Sequence, residues 1–184
     1  MRQDRADLGT RLRTAFTWLG GRTDEHRYAE VAGWWRDPAL LRDVGASLAD
    51  LFRAEQPTVV VGIEAHGFIL GPLVAVNLDV GFVEVRKDPL VAMDSDQWLR
   101  RAAPPDYRDR NLMLGVRRGL IRSTDRVLLV DDWIDTGGQA LGVHRIVGEV
   151  DATWVGAAVV VDALESHATR RELKVRSLMH HREL

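Results

Sequence analysis

The run RVLLVDDWIDTGGQ, residues 126–139, constrains the fold of this chain more than any other stretch. Val127 to Val130 is apolar on both faces, a pattern that suits a strand covered by helices on each side of a parallel sheet. The run then meets two adjacent acids, Asp131 and Asp132. Both buried as ions would be costly, so they are expected at the strand's carboxyl end, the edge where open α/β sheets place ligands. There they suit a diol or a hydrated metal. Downstream, Gly137 and Gly138 let the backbone approach a ligand closely, the first amides of a following helix are unpaired donors, and Thr136 adds a hydroxyl. Carboxylates for sugar hydroxyls, with a phosphate cradle a few residues on, describe a site for a ribose 5-phosphate. The chain has neither G-x-x-x-x-G-K-[ST] nor G-x-G-x-x-G, the two commoner nucleotide loops.

The rest of the chain alternates helical periodicity with short β-branched runs, which predicts an α/β domain with a mostly parallel sheet. Leu40, Leu41, Val44, Leu48, Leu51 and Phe52 recur at three- and four-residue spacing after Asp37-Pro38, a helix with Asp37 as cap and Pro38 in its first turn. Residues 58–63 predict a central strand, 68–78 a helix despite Pro72, and 81–86 a second strand. Further strands are expected at 112–116, 126–130, 155–161 and 175–179, with a helix over 138–150. Residues 88–110 combine charge with Pro104-Pro105 and show no sustained period, so they are expected to be one long connection and a lid. Such a loop buries little, so deletion of residues 90–105 is expected to leave thermal stability nearly unchanged.

With 184 residues the chain is expected to form a single domain, residues 1–184. No 18-residue apolar run suits a membrane span, and a net charge of −2 gives no basic surface for nucleic acid. The absence of cysteine excludes disulfides and thiolate metal sites, and MRQDRADLGT has no signal-peptide apolar core, so a cytoplasmic setting is expected.

VLLVDDWIDTGGQ resembles the 5-phosphoribosyl 1-pyrophosphate (PRPP) binding signature of type I phosphoribosyltransferases. Residues 57–87 are similar in order and spacing to the corresponding stretch of adenine phosphoribosyltransferases, and residues 36–52 resemble the helix that precedes it there. The resemblance implies a parallel-sheet core over 36–164 with the lid at 88–110. A small hood would be built from the terminal segments 1–35 and 165–184. It implies Mg²⁺-dependent transfer of the phosphoribosyl group from PRPP to a nucleobase, a purine, by a homodimer in purine salvage.

The same resemblance implies the roles of individual residues. Asp131 and Asp132 would hold the 2′ and 3′ hydroxyls and Mg²⁺, partly through water, and the segment Asp135, Thr136, Gly137, Gly138 and Gln139 would hold the 5-phosphate. Glu64-Ala65-His66-Gly67 joins a strand to a helix and reads by its own physics as an anion loop; the family uses it for pyrophosphate, together with Arg86 and Lys87. Family members commonly hold a non-proline cis peptide there. Tyr28, Trp133 and Ile134 would meet the base, and Tyr107 would reach in from the lid.

Three departures from the family pattern bear on activity. Ala65-His66 stands where Ser-Arg is frequent, replacing a permanent charge by an imidazole. Ala29, in Tyr28-Ala29-Glu30, stands where adenine enzymes have Arg. Asp135 resembles the aspartate of hypoxanthine-guanine enzymes that exchanges a proton with the purine, and so points to a 6-oxopurine; its other reading is a helix cap. Residues 57–87 lean the opposite way, toward adenine. A PRPP-sensing regulatory or binding protein with little turnover is the second reading of the whole chain, carried by His66 and Ala29.

Other features have plainer readings. Trp34 and Trp35 read as core or interface residues, and an apolar surface there would suit a homodimer. His180-His181 reads as a solvated tail, and Arg100-Arg101, Arg117-Arg118 and Arg170-Arg171 read as solvated faces.

Overall fold

The computed structural model describes residues 2–20, 28–88, 97–104 and 112–184. In chain order its elements are α1 (Arg2–Thr14), β1 (Thr17–Leu19), β2 (Tyr28–Glu30), α2 (Ala32–Arg36), α3 (Pro38–Phe52), β3 (Val59–Ile63), α4 (Gly67–Leu78) and β4 (Gly81–Lys87). They continue with β5 (Trp98–Ala102), β6 (Met113–Arg117), β7 (Arg126–Ile134), α5 (Gly138–Glu149), β8 (Thr153–Asp162), α6 (His167–Glu172) and β9 (Val175–His180). Seven strands form one sheet in the order β5-β6-β4-β3-β7-β8-β9, and β1 pairs β2 in a separate antiparallel ribbon.

The strands that are apolar on both faces lie at the sheet's centre for the reason their sequence states. β3 and β7 are parallel neighbours, with Val59 opposite Val127 and Gly62 opposite Val130. Val59, Val61, Ile63, Val127 and Leu129 pack on one face with Ala140, Val143, Ile146 and Val147 of α5. Val60, Leu128 and Val130 pack on the other with α1, α3 and α4, through Leu12, Leu40, Val44, Leu48, Leu70 and Val74. Each such side chain removed from water contributes roughly 1.5–3 kcal/mol, so the two layers fix the phase of both strands. The α3 cap is as expected: Asp37 Oδ1 accepts from Ala39 N at 2.8 Å and from Leu40 N at 3.2 Å.

Three expectations are corrected. The stretch 88–110 is not one loop, because β5 pairs antiparallel with β6 and places Leu99 and Ala103 in the core, each 4% exposed. Deletion of 90–105 would therefore strip core as well as surface. Of the Arg100-Arg101 pair, Arg101 is exposed as a solvated face would be, with its Nη2 2.5 Å from Glu149 Oε2, but Arg100 is half-buried, with Nε and Nη2 enclosed. Second, β7 does not end at Val130 but runs to Ile134, pairing Asp131 with Val159 and Trp133 with Val161, so the acid pair lies within a strand. Third, the apolar surface expected at Trp34-Trp35 does not include Trp34, which is a core residue, fully buried, its indole donating to Leu12 O at 2.9 Å. Tyr107 lies outside the described residues, as do 89–96 and 105–110 of the expected lid.

Candidate active site

The carboxyl ends of β3, β7 and β8, with the β1–β2 ribbon and the turn after β9, surround a cavity of about 810 Å³. Because successive residues of a strand face opposite ways, Asp131 continues the Val127–Leu129 side and Asp132 the Val130 side, toward the start of α4. Asp132 Oδ2 sits 2.9 Å from His66 Nδ1, and Asp131 Oδ1 accepts from Asp132 N at 3.0 Å. Burial, with the charge of Asp132 second, pushes the Asp131 carboxyl well above the usual carboxylate range. Burial is also the largest single influence on Asp132 and acts in the same sense, but the hydrogen bond and charge of His66, with the bond to Asp131, together hold that carboxyl low. The hydrogen bond to Asp132 raises the His66 imidazole. Asp131 is thus driven toward its neutral form, while Asp132 and the His66 imidazole favour each other's charged forms.

Beyond the acid pair the chain turns sharply into α5. Gly137 has φ of 79°, and a Cβ there would lie 2.8 Å from Thr169 Cγ2 and 3.2 Å from Leu164 Cδ2, so both backbone and space call for glycine. Thr136 Oγ1 accepts from Gly138 N at 3.3 Å. Helix geometry leaves the amides of Gln139 and Ala140 without a helical acceptor, and both residues line the cavity. Asp135 does not cap this helix: Gly137 holds the cap position, and no side chain bonds there. Asp135 is exposed to the cavity instead, its carboxyl raised by burial and then by the charge of Glu165, while His181 acts in the opposite sense.

The third wall is the loop between β3 and α4. Glu64, Ala65 and His66 line the cavity, and the Glu64–Ala65 peptide is cis. Glu64 Oε2 accepts from Lys87 N at 3.1 Å, tying the loop to β4. Gly67 does not line the cavity. It lies beneath the loop, where a Cβ would meet the Gly62 carbonyl carbon at 2.9 Å and Val130 O at 3.1 Å, so its role is to seat α4 against the sheet. Lys87 lines the cavity; Arg86, one residue earlier, faces away. It is bonded to Glu84 twice, Nε to Oε1 at 2.9 Å and Nη2 to Oε2 at 2.8 Å, with its guanidinium 5.7 Å from the Phe68 ring centre. The expected pyrophosphate contact of Arg86 is thus not supplied in this arrangement.

Tyr28, Trp133 and Ile134, the residues expected to meet the base, all line the cavity, and so does Ala29. Trp133 packs against Phe16 at 6.3 Å and Trp18 at 6.1 Å between ring centres, so the ribbon and β7 share one aromatic wall. Among the polar and aromatic lining residues, three escaped sequence reading: Trp18, Glu165 and His181. His181 is not part of a solvated tail. Its ring lies 4.4 Å from that of His180, and its Nδ1 is buried with no hydrogen-bond partner.

Asp131 and Asp132 also bear on a metal. Among the described residues no group of three ligating side chains converges. Two adjacent carboxylates fit a hard cation that keeps most of its waters and takes further oxygens from a bound phosphate, the habit of Mg²⁺.

Residues 36–181 match the family model of the phosphoribosyl transferase domain. An adenine phosphoribosyltransferase of Natranaerobius thermophilus is 34% identical over 136 residues, 73% of this chain and 76% of its own. A xanthine phosphoribosyltransferase of Geobacillus thermodenitrificans is 32% identical over 126 residues, 68% of this chain and 64% of its own. Among solved structures, the adenine phosphoribosyl transferase of Trypanosoma brucei, in complex with AMP, pyrophosphate and ribose-5-phosphate, superimposes with a TM-score of 0.77 at 27% identity, covering 96% of this chain and 81% of that one.

Proposed function

Because the chain belongs to the phosphoribosyl transferase family, we propose that its cavity transfers the 5-phosphoribosyl group of PRPP to a purine, adenine first, releasing pyrophosphate and a nucleoside monophosphate for purine salvage. The observation that carries this reading is the juxtaposition, in one cavity, of the Asp131-Asp132 pair and the Thr136–Ala140 cradle. A sugar with hydroxyls on the first and its phosphate in the second presents its anomeric carbon between the Glu64–His66 loop and the Trp133–Asp135 wall.

The chain's own groups then have distinct work. Ionised Asp132 and the carboxyl of Asp131 orient the ribose hydroxyls. Pyrophosphate leaves toward Ala65, His66 and Lys87, and the positive sugar left behind is held in place against water. A lost preorganised donor on that path costs roughly 3–4 kcal/mol of transition-state stabilisation. Asp135 takes the proton that the attacking ring nitrogen gives up, a transfer worth about 10²–10⁴-fold. Mg²⁺ bound at Asp131 and Asp132 supplies charge neutralisation for the departing diphosphate.

Adenine is favoured over the 6-oxopurine that Asp135 and Ala29 suggest, because the relatives that match over most of the chain are named adenine phosphoribosyltransferases. A cytoplasmic setting is supported by the lack of cysteine. Homodimerisation rests on the family resemblance alone, since Trp34 is interior.

The test is incubation of the protein with PRPP, Mg²⁺ and adenine, hypoxanthine or guanine in turn, with nucleotide and pyrophosphate quantified. AMP formation is expected. PRPP binding with no product from any base would make the protein a PRPP sensor instead.

A further inference from the structure

The parallel register of β7, β8 and β9 aligns three strand ends, with Ile134 paired to Asp162 and Asp162 to His180. Each strand therefore delivers its next residues to one edge of the cavity. Asp135 follows β7, Glu165 lies in the turn after β8, and His181 follows β9; all three line the cavity beyond the acid pair. None is used by the fold. Asp135 caps no helix, and Nδ1 of His181 is buried with no partner.

Their backbones are nonetheless braced. Asp162 Oδ1 accepts from Leu164 N at 2.9 Å, Arg170 Nε donates to Asp162 Oδ2 at 2.7 Å, and Arg170 Nη2 also donates to Leu164 O. On the far side Ser166 Oγ accepts from Thr169 N at 3.2 Å, so Glu165 stands between two anchored neighbours. The turn carrying His181 is closed by His180 N donating to Glu183 Oε1 at 2.6 Å and Arg182 N donating to His180 Nδ1 at 3.2 Å. Side chains held this way without a task in the fold are preorganised for a ligand.

Given the phosphoribosyl transfer proposed above, we infer that Glu165 and His181 are specificity-determining residues for the base, and that they select a purine with an amino group at C6. An ionised carboxylate only accepts, so Glu165 meets the N–H groups of that amino group favourably and sets its lone pairs against a ring carbonyl. The imidazole has one nitrogen that donates and one that accepts, which suits the ring nitrogen beside that amino group. Adenine presents this edge; hypoxanthine, with oxygen in place of the amino group, does not.

The experiment compares kcat/KM for adenine and hypoxanthine, and the PRPP Kd by calorimetry, in the wild type, Glu165→Gln and His181→Asn. Glu165 is exposed, so its exchange for an amide spares the fold. Glu165→Gln is expected to lower kcat/KM for adenine about 10- to 100-fold and to raise it for hypoxanthine, because an amide can donate to the ring oxygen. His181→Asn is expected to lower the adenine value about 10-fold, and PRPP Kd is expected to stay within about 2-fold in both. An unchanged adenine-to-hypoxanthine ratio in both variants overturns the inference, as does an equal fall for both bases with weakened PRPP binding. If the wild type makes no nucleotide from any purine, it is the transfer reading that fails. The wall is then tested by calorimetry of each base alone, where equal affinities for adenine and hypoxanthine in wild type and Glu165→Gln overturn it.

Discussion

Replacing Arg170 by Met tests whether the β8–α6 turn is held by charge. Among the described residues Asp162 is the buried polar side chain of the core, 6% exposed, and Arg170 is its ion-pair partner at 2.7 Å. Met keeps most of the stem volume but removes four hydrogen bonds, two to Asp162, one to Leu164 O and one to His167 Nδ1. The carboxylate is left with Leu164 N alone. Breaking a buried pair by removing one partner costs about 3–5 kcal/mol, and the 23% exposure of the Arg170 side chain, which lets water reach the carboxylate, brings the expectation to about 2–3 kcal/mol. At about 2–4 °C per kcal/mol for a chain of this size, Tm should fall by about 5–10 °C in scanning calorimetry near neutral pH. Adding Asp162→Asn to Arg170→Met should recover part of the loss, since a neutral amide still accepts from Leu164 N and no bare charge stays buried. A Tm within about 2 °C of wild type for Arg170→Met, or a further fall in the double variant, refutes the argument.

Leu99→Ala should cost about 2–4 kcal/mol in denaturant unfolding, because Leu99 is 4% exposed between β6 and α5; an unchanged midpoint would return β5 to a surface loop. Asp131→Asn together with Asp132→Asn should weaken PRPP binding by calorimetry while the protein stays folded, since neutral amides relieve both the burial of a carboxyl and the repulsion that raise Asp131; intact PRPP affinity would take the pair out of the site. Burial lowers the His144 imidazole below 6.5 despite Glu172 at 3.9 Å, with Lys174 acting in the same sense as burial. The unfolded chain thus takes up the proton first, and the wild type should lose stability relative to His144→Gln as pH falls through about 6.5; a stability gap that does not vary from about pH 7.5 to 5 would contradict this.

The elements that could be read from sequence carry their environment in their own side chains. β3 and β7 are apolar at consecutive positions because helices cover both faces, and α3 declares its start through Asp37-Pro38 and its buried face through Leu40, Val44 and Leu48. The acid pair and the Thr136-Gly137-Gly138 turn were legible for a similar reason: adjacent carboxylates beside a buried strand, and glycines at a helix start, each have few uses besides a ligand. β5 had no such mark. Its five residues, WLRRA, alternate over too short a span, and only pairing with β6 makes them a strand.

Phase and register were decided by the tertiary structure. Arg86 and Lys87 are equivalent as sequence, yet the pleat of β4 turns one to Glu84 and Phe68 and the other into the cavity. Likewise Glu165 and His181 sit in polar segments that read as solvated, and nothing local marks them. They reach Asp135 because β8 and β9 pair in parallel with β7, so that residues far apart in the chain emerge at one edge. A sequence displays what each residue needs from its immediate surroundings, but which strand ends share an edge follows from packing energies summed over both layers of the sheet.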